Sequence, residues 1–588
     1  MRHLFINEID NLNFSSKIEN KTYLNEILSE WKEQLSIGDY NFFNTKLLNE
    51  NISEEDFKKK LEIIISSKKQ NKEIFSSEIN NDIDLGFLSI LGDFINRGCA
   101  NIEKEVNHYN DFYSINVQQI LHSFKNHLLT SLTKISEKTI FYEFKYWEER
   151  FEGDLIDFSN RLSNRHYKYY FYNKYPLLMR YVDDEIDKAS NFLISILSAL
   201  KNDWKKINRI INNESLENLD FGLGDRHNNG QSVTLVYFNN NLRLLYKPHC
   251  LNVDNSYSNF IKNILNNQKK LKYIISTPKT IQGLNYGWQE YIFNKKTDDK
   301  NLLKEYYYKS GVHLCLFYLL NGSDLHFENL ISDSKSPMII DMETLLSPKV
   351  HSSKNISLRN VTHTGLLPFV LFTGNQYFEL GGLSNSKNQK SPFKNKKISL
   401  KEGKIIEEDV YMDESKNIPY LSEINLLDYV DVIIQGFEET YNILIEKKEK
   451  LVDVINNYFL NSKIRYIARD TLIYSHLLRE AYHPSLMTNG FLIERHFDWL
   501  WIQVNDIPYL ERLTLFEKNN LLNLDIPYFY TRYNSKSIFN SHGEEISDFF
   551  EISPKENVNL NINNISEEDK KRQIWLIKAS IISHIMNK

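Results

Sequence analysis

The sequence predicts an α+β protein in which one β-rich segment is set among helices. Residues 1–200 read mostly as helix, with apolar residues recurring at helical spacing as in EEDFKKKLEIIISSKK (Glu54–Lys69). Two β-rich runs, QSVTLVYF (Gln231–Phe238) and LRLLYK (Leu242–Lys247), follow, with only Asn239-Asn240-Asn241 between them. Turn-forming residues between two such runs predict a hairpin. A 3.6-residue pattern then returns from Leu426 to Leu460 and predicts a long helix.

The remaining elements fall into place between these. A polar stretch near 66–84 reads as a loop, Ser256–Leu265 as a helix, and YGWQEYIF (Tyr286–Phe293) as a strand. SGVHLCLFYLL (Ser310–Leu320) is an apolar helix leading into NGSDLHFENLI, and PMIIDMETLL (Pro337–Leu346) reads as a buried strand ending in acids. Residues 347–417 read as irregular, and the Lys-rich part at Ser386–Lys404 as a solvated loop with acids directly after it. Three consecutive regions are expected: a helical one over 1–205, a mixed core over 206–425, and a helical one over 426–588.

With 588 residues, 41% of them hydrophobic and 25% charged, the chain is expected to be soluble, with several domains or one multi-lobed body. A net charge of −6 offers no basic field for nucleic acid. The start, MRHLFINEIDNLNF, lacks the apolar core of a secretory signal, and FLISILSAL is too short to span a bilayer. Cys99, Cys250 and Cys315 lie far apart and form neither a disulfide framework nor a zinc pattern. A bacterial cytoplasm is the expected location.

Phosphoryl transfer requires a Lys on the nucleotide phosphates, an Asp at the attacking hydroxyl, and an Asn and a second Asp on Mg²⁺. Kinase-like folds present these in that order, on a strand, a loop and a strand end. Lys247 ends the second run of the hairpin. NGSDLHFENL supplies Asp324, His326 and Asn329 after an apolar helix, and Asp341 ends an apolar run twelve residues past Asn329. FGLGDRHNNG (Phe221–Gly230) invites a different assignment, because Asp225 sits in a Gly-Asp-Arg-His run like that of a lipid-kinase loop. The position five residues on, however, is Gly230, which cannot bind a metal, and Lys247 would come after the loop instead of before it. Asp225 is therefore not the catalytic-loop aspartate, and its place ahead of the hairpin suggests a loop near the phosphates. Each motif alone is weak, since DxHxxN arises readily by chance. The ordered set predicts a kinase-like phosphotransferase.

The strings GLGDRHNNGQSV, LLYKPHCLNVD, YGWQEYI, YYYKSGVHLCLFYLLNGSDLHFENLI, PMIIDMETLL, HTGLLP and DIPYFYTR occur in this order. Together they closely resemble the dehydratase domain of the class II lanthipeptide synthetases, the LanM family, from about Tyr175 to Tyr530. The resemblance implies a two-lobed kinase-like core, related to lipid kinases and elaborated by N- and C-terminal helical regions. It implies ATP and Mg²⁺ as cofactors and a ribosomal precursor peptide, leader plus core, as substrate. Ser and Thr hydroxyls of that peptide would be phosphorylated, and the phosphate then eliminated to leave dehydroalanine or dehydrobutyrine.

By motif, Lys247 matches the phosphate-binding lysine, Asp324 the catalytic aspartate and His326 its neighbour. Asn329 and Asp341 match Mg²⁺ ligands, Glu343 a further acid of the site, and Asp225 with His227 a pair near the phosphates. Arg465 and Thr471, in IRYIARDTLIY (Ile464–Tyr474), match the family's elimination pair. Arg469 would add a cation on the face of Arg465 if the segment is helical, and all these arginines also admit a structural ion-pairing role. Asp470 stands where the family usually has Pro, and an acid there would weaken the local positive potential. His476 and His483 read as structural. No cysteine follows Cys315, so thioether ring closure is not expected of this sequence, which leaves open a stand-alone dehydratase with a separate LanC-like cyclase, a product that needs only dehydroamino acids, or an excised domain. Two alternatives stay open: a peptide kinase without elimination, and a catalytically silent partner that binds the precursor for another synthetase.

Overall fold

The computed structural model describes residues 3–9, 21–38, 40–66, 83–151, 155–212, 214–268, 270–351, 360–373, 376–385, 397–401, 404–408 and 415–586. The stretch expected as a loop near 66–84 lies almost entirely outside them. The chain forms two compact units, each made of two separate segments. One comprises Met1–Arg243 with Ala468–Pro527, the other Leu244–Ile467 with Tyr528–Lys588. The three consecutive regions expected from the sequence do not coincide with these units, because each unit is completed by a stretch that returns late in the chain.

The first unit is largely helical, as expected. Its long helices are Gly92–Asn110, Val117–Glu148 and Pro176–Ile211. Local chemistry sets their ends: the Asn116 side chain accepts from the Gln119 N–H, Pro176 occupies a first-turn position where no N–H is needed, and Asn212 closes its helix in the left-handed region. Leu177, Tyr181, Ile186, Leu193, Ile196 and Leu200 recur at helical spacing and are all buried. Burying such side chains contributes about 1.5–3 kcal/mol each. Strands Leu216–Asp220 and Thr234–Phe238 pair antiparallel, with Leu216 opposite Phe238, and carry the Phe221–Gly230 loop between them. The Phe238 N–H donates to the Leu242 carbonyl at 2.9 Å, closing the asparagine turn ahead of the next strand as the hairpin pattern predicts.

In the second unit, strand Gly287–Glu290 lies between Arg243–Lys247 and Thr280–Gln282, antiparallel to both. Helix Asn252–Phe260 starts four residues earlier than its apolar pattern suggests and continues as a π turn over Ile261–Leu265. The predicted apolar helix is longer than expected, spanning Lys300–Leu319, and packs on Val430–Glu446. The two backbones meet at glycines. A Cβ on Gly311 would lie 1.9 Å from the Ile433 carbonyl oxygen, and one on Gly436 2.0 Å from that of Tyr308. Either substitution would have to push the helices apart. Tyr307, Leu314, Phe317, Phe437 and Tyr441 fill the core around this crossing.

Several expectations are corrected. The long helix expected over Leu426–Leu460 is two, Val430–Glu446 and Lys448–Phe459, with Lys447 between them at non-helical dihedrals. The strand expected over Pro337–Leu346 is only Pro337–Ile339, paired with Leu330–Ser332. The span expected to be irregular contains two antiparallel pairs, Val370–Thr373 with Gln376–Glu379 and Lys397–Lys401 with Lys404–Glu408. The second pair replaces part of the loop expected in the Lys-rich stretch. Segment 464–474 is not helical throughout: Lys463–Tyr466 is a strand beside Phe529–Arg532, and the helix begins only at Thr471. Among the described residues no helix is long and apolar enough to cross a membrane.

Candidate functional site

In the second unit, several of the residues singled out above meet around Ile340. Lys247 ends its strand opposite Gly287 and is 5% exposed. Its ammonium donates to the Ile340 carbonyl oxygen. The Ile340 N–H in turn donates to the Asn329 carbonyl at 3.0 Å, because the Leu330–Ile339 pair closes the hairpin there. Asp341 follows directly, and its Oδ1 accepts from the Glu343 N–H at 2.9 Å. One short hairpin thus brings Asn329 and Asp341 to the same end, with the lysine at the residue between them.

The loop before that hairpin is held in an uncommon backbone conformation. Asn321 and Asp324 have φ of 59° and 66°, the left-handed region that non-glycine residues rarely adopt. Neighbouring backbone imposes it. The Leu325 N–H donates to Thr364 at 2.9 Å, that of Phe327 to Leu380 at 3.1 Å, and that of Gly382 to Gly365 at 2.9 Å. Gly365, in HTGLLP, has φ of 81°, and a Cβ there would lie 2.8 Å from the Leu325 nitrogen. His326 Nδ1 accepts from the Glu328 N–H at 3.2 Å, which leaves the proton of the neutral ring on Nε2, 3.4 Å from Asp324 Oδ1. Burial lowers the His326 pKa and so favours that neutral form. Asn329 Nδ2 donates to the Asp324 carbonyl at 2.8 Å. Its nitrogen is thereby engaged, and its Oδ1 is left to offer lone pairs.

Glu343 lies between two cations. His249 Nε2 is 2.9 Å from Oε1, Arg465 Nη1 is 3.2 Å from Oε2, and the Arg465 N–H donates to the Glu343 carbonyl at 3.0 Å. Burial works against a charge on His249, but Glu343 outweighs it and raises its pKa. The Arg465 guanidinium also sits 5.4 Å over the Tyr528 ring. Sequence reasoning passed over His249 and Tyr528, although both lie inside quoted strings. It also passed over Asp254, buried on the first turn of Asn252–Phe260, whose carboxyl is pushed up to about 6 by burial, against the pull of Lys247.

Asp225 and His227 belong to the first unit, on a loop clamped by Asp525 and Ile526 of DIPYFYTR. Asp525 accepts from the N–H groups of Asn229 at 2.7 Å and Gly230 at 3.0 Å, while the Ile526 N–H donates to Arg226 at 2.9 Å. Arg226 forks onto Glu185 with two bonds of 2.8 Å. His227 Nδ1 is 2.7 Å from the Ile526 carbonyl, an acceptor only, so Nδ1 carries the proton.

Arg465 and Thr471 fall in different units, and Arg469 is not on the face of Arg465. Arg465 stands on a strand and the helix starts only at Thr471, so the helical condition is not met, and Arg469 is buried with four contacts of 2.9–3.3 Å to Glu517 and Thr514 and one of 2.8 Å to Gln503. It is an ion-pair partner in the interior. Asp470 caps the Thr471–Ala481 helix by accepting from the Leu472 N–H at 3.0 Å. His476 and His483 make local bonds to Arg479 and Ser485.

Residues 175–532 match the family model described as "Domain of unknown function (DUF4135)". The chain is also 30% identical over 445 residues to the lacticin 481/lactococcin biosynthesis protein LcnDR2 of Lactococcus lactis subsp. lactis. That alignment covers 70% of this chain and 46% of the relative, so the chain spans less than half the length of the relative it matches. The model's limits nearly coincide with the stretch, Tyr175 to Tyr530, over which the quoted motifs are dense. On the family match, which spans more than half of it, the chain belongs to the DUF4135 family.

Proposed function

We propose that the chain is a lanthipeptide-type dehydratase with a kinase-like core, which phosphorylates Ser and Thr of a precursor peptide and then eliminates the phosphate. The observation that carries this reading is the junction at Ile340, where the phosphate-type lysine, the Asn and the Asp of the expected metal pair converge. Lys247 would hold the nucleotide phosphates, and Asn329 Oδ1 and Asp341 would hold Mg²⁺. The donor set fits, because Mg²⁺ takes oxygen ligands from one or two side chains together with phosphates and waters. Among the described residues no group of three or more His, Cys, Asp and Glu could hold a metal ion alone. Bound Mg·ATP supplies the phosphoryl group and neutralises its developing charge.

The chain's own residues supply the rest. Asp324, half-exposed and steered by His326, would accept the proton of the Ser or Thr hydroxyl as its oxygen bonds to the γ-phosphorus and the bond from that phosphorus to the departing ADP breaks. The resulting phosphoester has a leaving group carrying a charge of roughly −2, where hydroxide would have been a poor one. Elimination passes the α-proton to a general base, forms the Cα–Cβ double bond and breaks the Cβ–O bond, with the electron pair leaving on the phosphate. Arg465 and the charged His249 receive the departing phosphate, and Glu343 holds both cations in place. Thr471, in the first turn of an eleven-residue helix, would offer its hydroxyl.

The test is transfer of labelled γ-phosphate from ATP to a precursor peptide. Wild type should transfer label and release it as inorganic phosphate, Arg465→Ala should leave it on the peptide, and Asp324→Asn should transfer none. Label accumulating on the peptide with Asp324→Asn refutes the assignment.

A further inference from the structure

We propose that a cleft lined by asparagine amides in the second unit is a docking subsite for the main chain of the precursor peptide, which would lie there as an extended stretch near His249 and Arg465. The inference rests on the peptide-modifying reading above. The cleft holds about 310 Å³, the size of a small-ligand site. Asn252, Asn255, Ser256 and Asn259, on helix Asn252–Phe260, form one wall. Asn457, Tyr458 and Asn461, at and just past the end of Lys448–Phe459, form the other. Among the described residues no charged side chain lines it.

Cross-bonds fix the distance between the walls. Asn252 Nδ2 donates to the Asn461 carbonyl at 3.1 Å, the Ser256 hydroxyl to the Tyr458 carbonyl at 2.7 Å, and Asn263 Nδ2 to the Tyr458 hydroxyl at 2.9 Å. The Asn255 amide is spent as well, donating to the Leu251 carbonyl at 3.1 Å and accepting from the Thr280 hydroxyl at 2.7 Å. The side chains of Asn259, Asn457 and Asn461, by contrast, make no hydrogen bond to the described residues. Each offers one carbonyl acceptor and two N–H donors. Uncharged donors and acceptors side by side match the alternating N–H and C=O groups of an extended peptide, whatever side chains it carries. From Asn252 to Asn259 the helix advances about 10 Å, the length of about three extended residues. Sugar hydroxyls could use the same amides, and what favours a peptide is where the walls lead. Asn252 stands three residues after His249 and Asn461 four before Arg465, so the chain holds the two walls within about 11 Å and about 14 Å of those backbones. His249 and Arg465 share Glu343. A main chain held in the cleft keeps the residue being modified close to both cations and leaves its side chains unread.

The test is fluorescence anisotropy of a fluorescein-labelled precursor peptide with the full chain. Asn457→Ala combined with Asn461→Ala removes two uncommitted amides and should weaken binding about ten-fold, the worth of two neutral hydrogen bonds. Asn457→Asp combined with Asn461→Asp keeps the acceptors, removes the donors and should weaken binding as much. Asn107→Ala, at an exposed asparagine of the first unit, should change nothing. Acetyl-triglycine amide, which is main chain alone, should displace the label from wild type at millimolar concentration, and maltotriose should not. Affinity for the fluorescent nucleotide N-methylanthraniloyl-ATP with Mg²⁺ shows that each variant is folded. Wild-type peptide affinity in both double variants overturns the inference, and so does displacement by maltotriose or none by acetyl-triglycine amide. A wild type that binds the peptide through these amides but transfers no phosphate refutes the dehydratase reading alone. A wild type that dehydrates the peptide, with affinity unchanged in both double variants, refutes this inference alone.

Discussion

Replacing Arg469 by Ala should unfold the first unit at markedly lower temperature while leaving the chemistry of the surviving folded protein intact. The side chains of Arg469 and Glu517 are 1% and 0% exposed, and the guanidinium forks onto the carboxylate through Nε and Nη2. Removing the arginine leaves Glu517 charged in the interior with only the Tyr474 hydroxyl, and strips Gln503 and Thr514 of a donor. Breaking a buried pair from one side costs about 3–5 kcal/mol. For a body of this size 1 kcal/mol corresponds to roughly 2 °C, so melting should fall by about 6–10 °C. The assay is thermal unfolding followed by circular dichroism, together with the mass of a precursor treated below the new transition. Unchanged melting together with phosphopeptide accumulation would refute the reasoning, because it would make Arg469 an elimination residue and not an internal partner.

Other outcomes follow from the same geometry. Asp470→Pro should leave the product pattern unchanged in mass spectra, because φ at this position is −51° and suits proline, and should cost only the cap, about 0.5–2 kcal/mol in denaturant titration. Gly365→Ala should displace the Asp324 loop and cut phosphotransfer about a hundred-fold with nucleotide binding retained, measured by labelled phosphate transfer and fluorescent nucleotide titration. The His249 pKa is raised in the folded chain, so its pair with Glu343 stabilises fully below the ordinary value of 6.5 and loses its effect as pH rises through the folded value. Denaturant titrations from about pH 6 to about pH 9 should therefore show wild type losing stability relative to His249→Gln as pH rises.

Much of the candidate site was legible because its residues stand at element ends that periodicity can find. Lys247 closes a β-rich run, Asp324 follows an apolar helix, and Asp341 ends an apolar stretch. The pairing of Leu330 with Ile339 then follows from a short hairpin whose two arms are both apolar. What was not legible depends on distant contacts. The Arg465–Arg469 spacing imitates a helix, but Lys463–Tyr466 is drawn into a sheet by Phe529–Arg532. Lys447 interrupts what reads as one continuous helix, and no proline or glycine marks the break. The clamp of Asp525 on Asn229 and Gly230 joins residues nearly three hundred positions apart, and the two-segment units are consequences of such returns. Asp254 carries no signal of its own in sequence, because a buried acid on an amphipathic helix looks like any surface acid until its surroundings are known.

The central claim is that Asp324 starts a reaction that ends in loss of water from the peptide. The intact mass of a precursor peptide co-expressed with the chain tests it most directly, with Asp324→Asn alongside. Loss of water from Ser or Thr with the wild type, and an unmodified peptide with Asp324→Asn, is the predicted result. An unmodified peptide from the wild type, or equal water loss from both, would contradict the account.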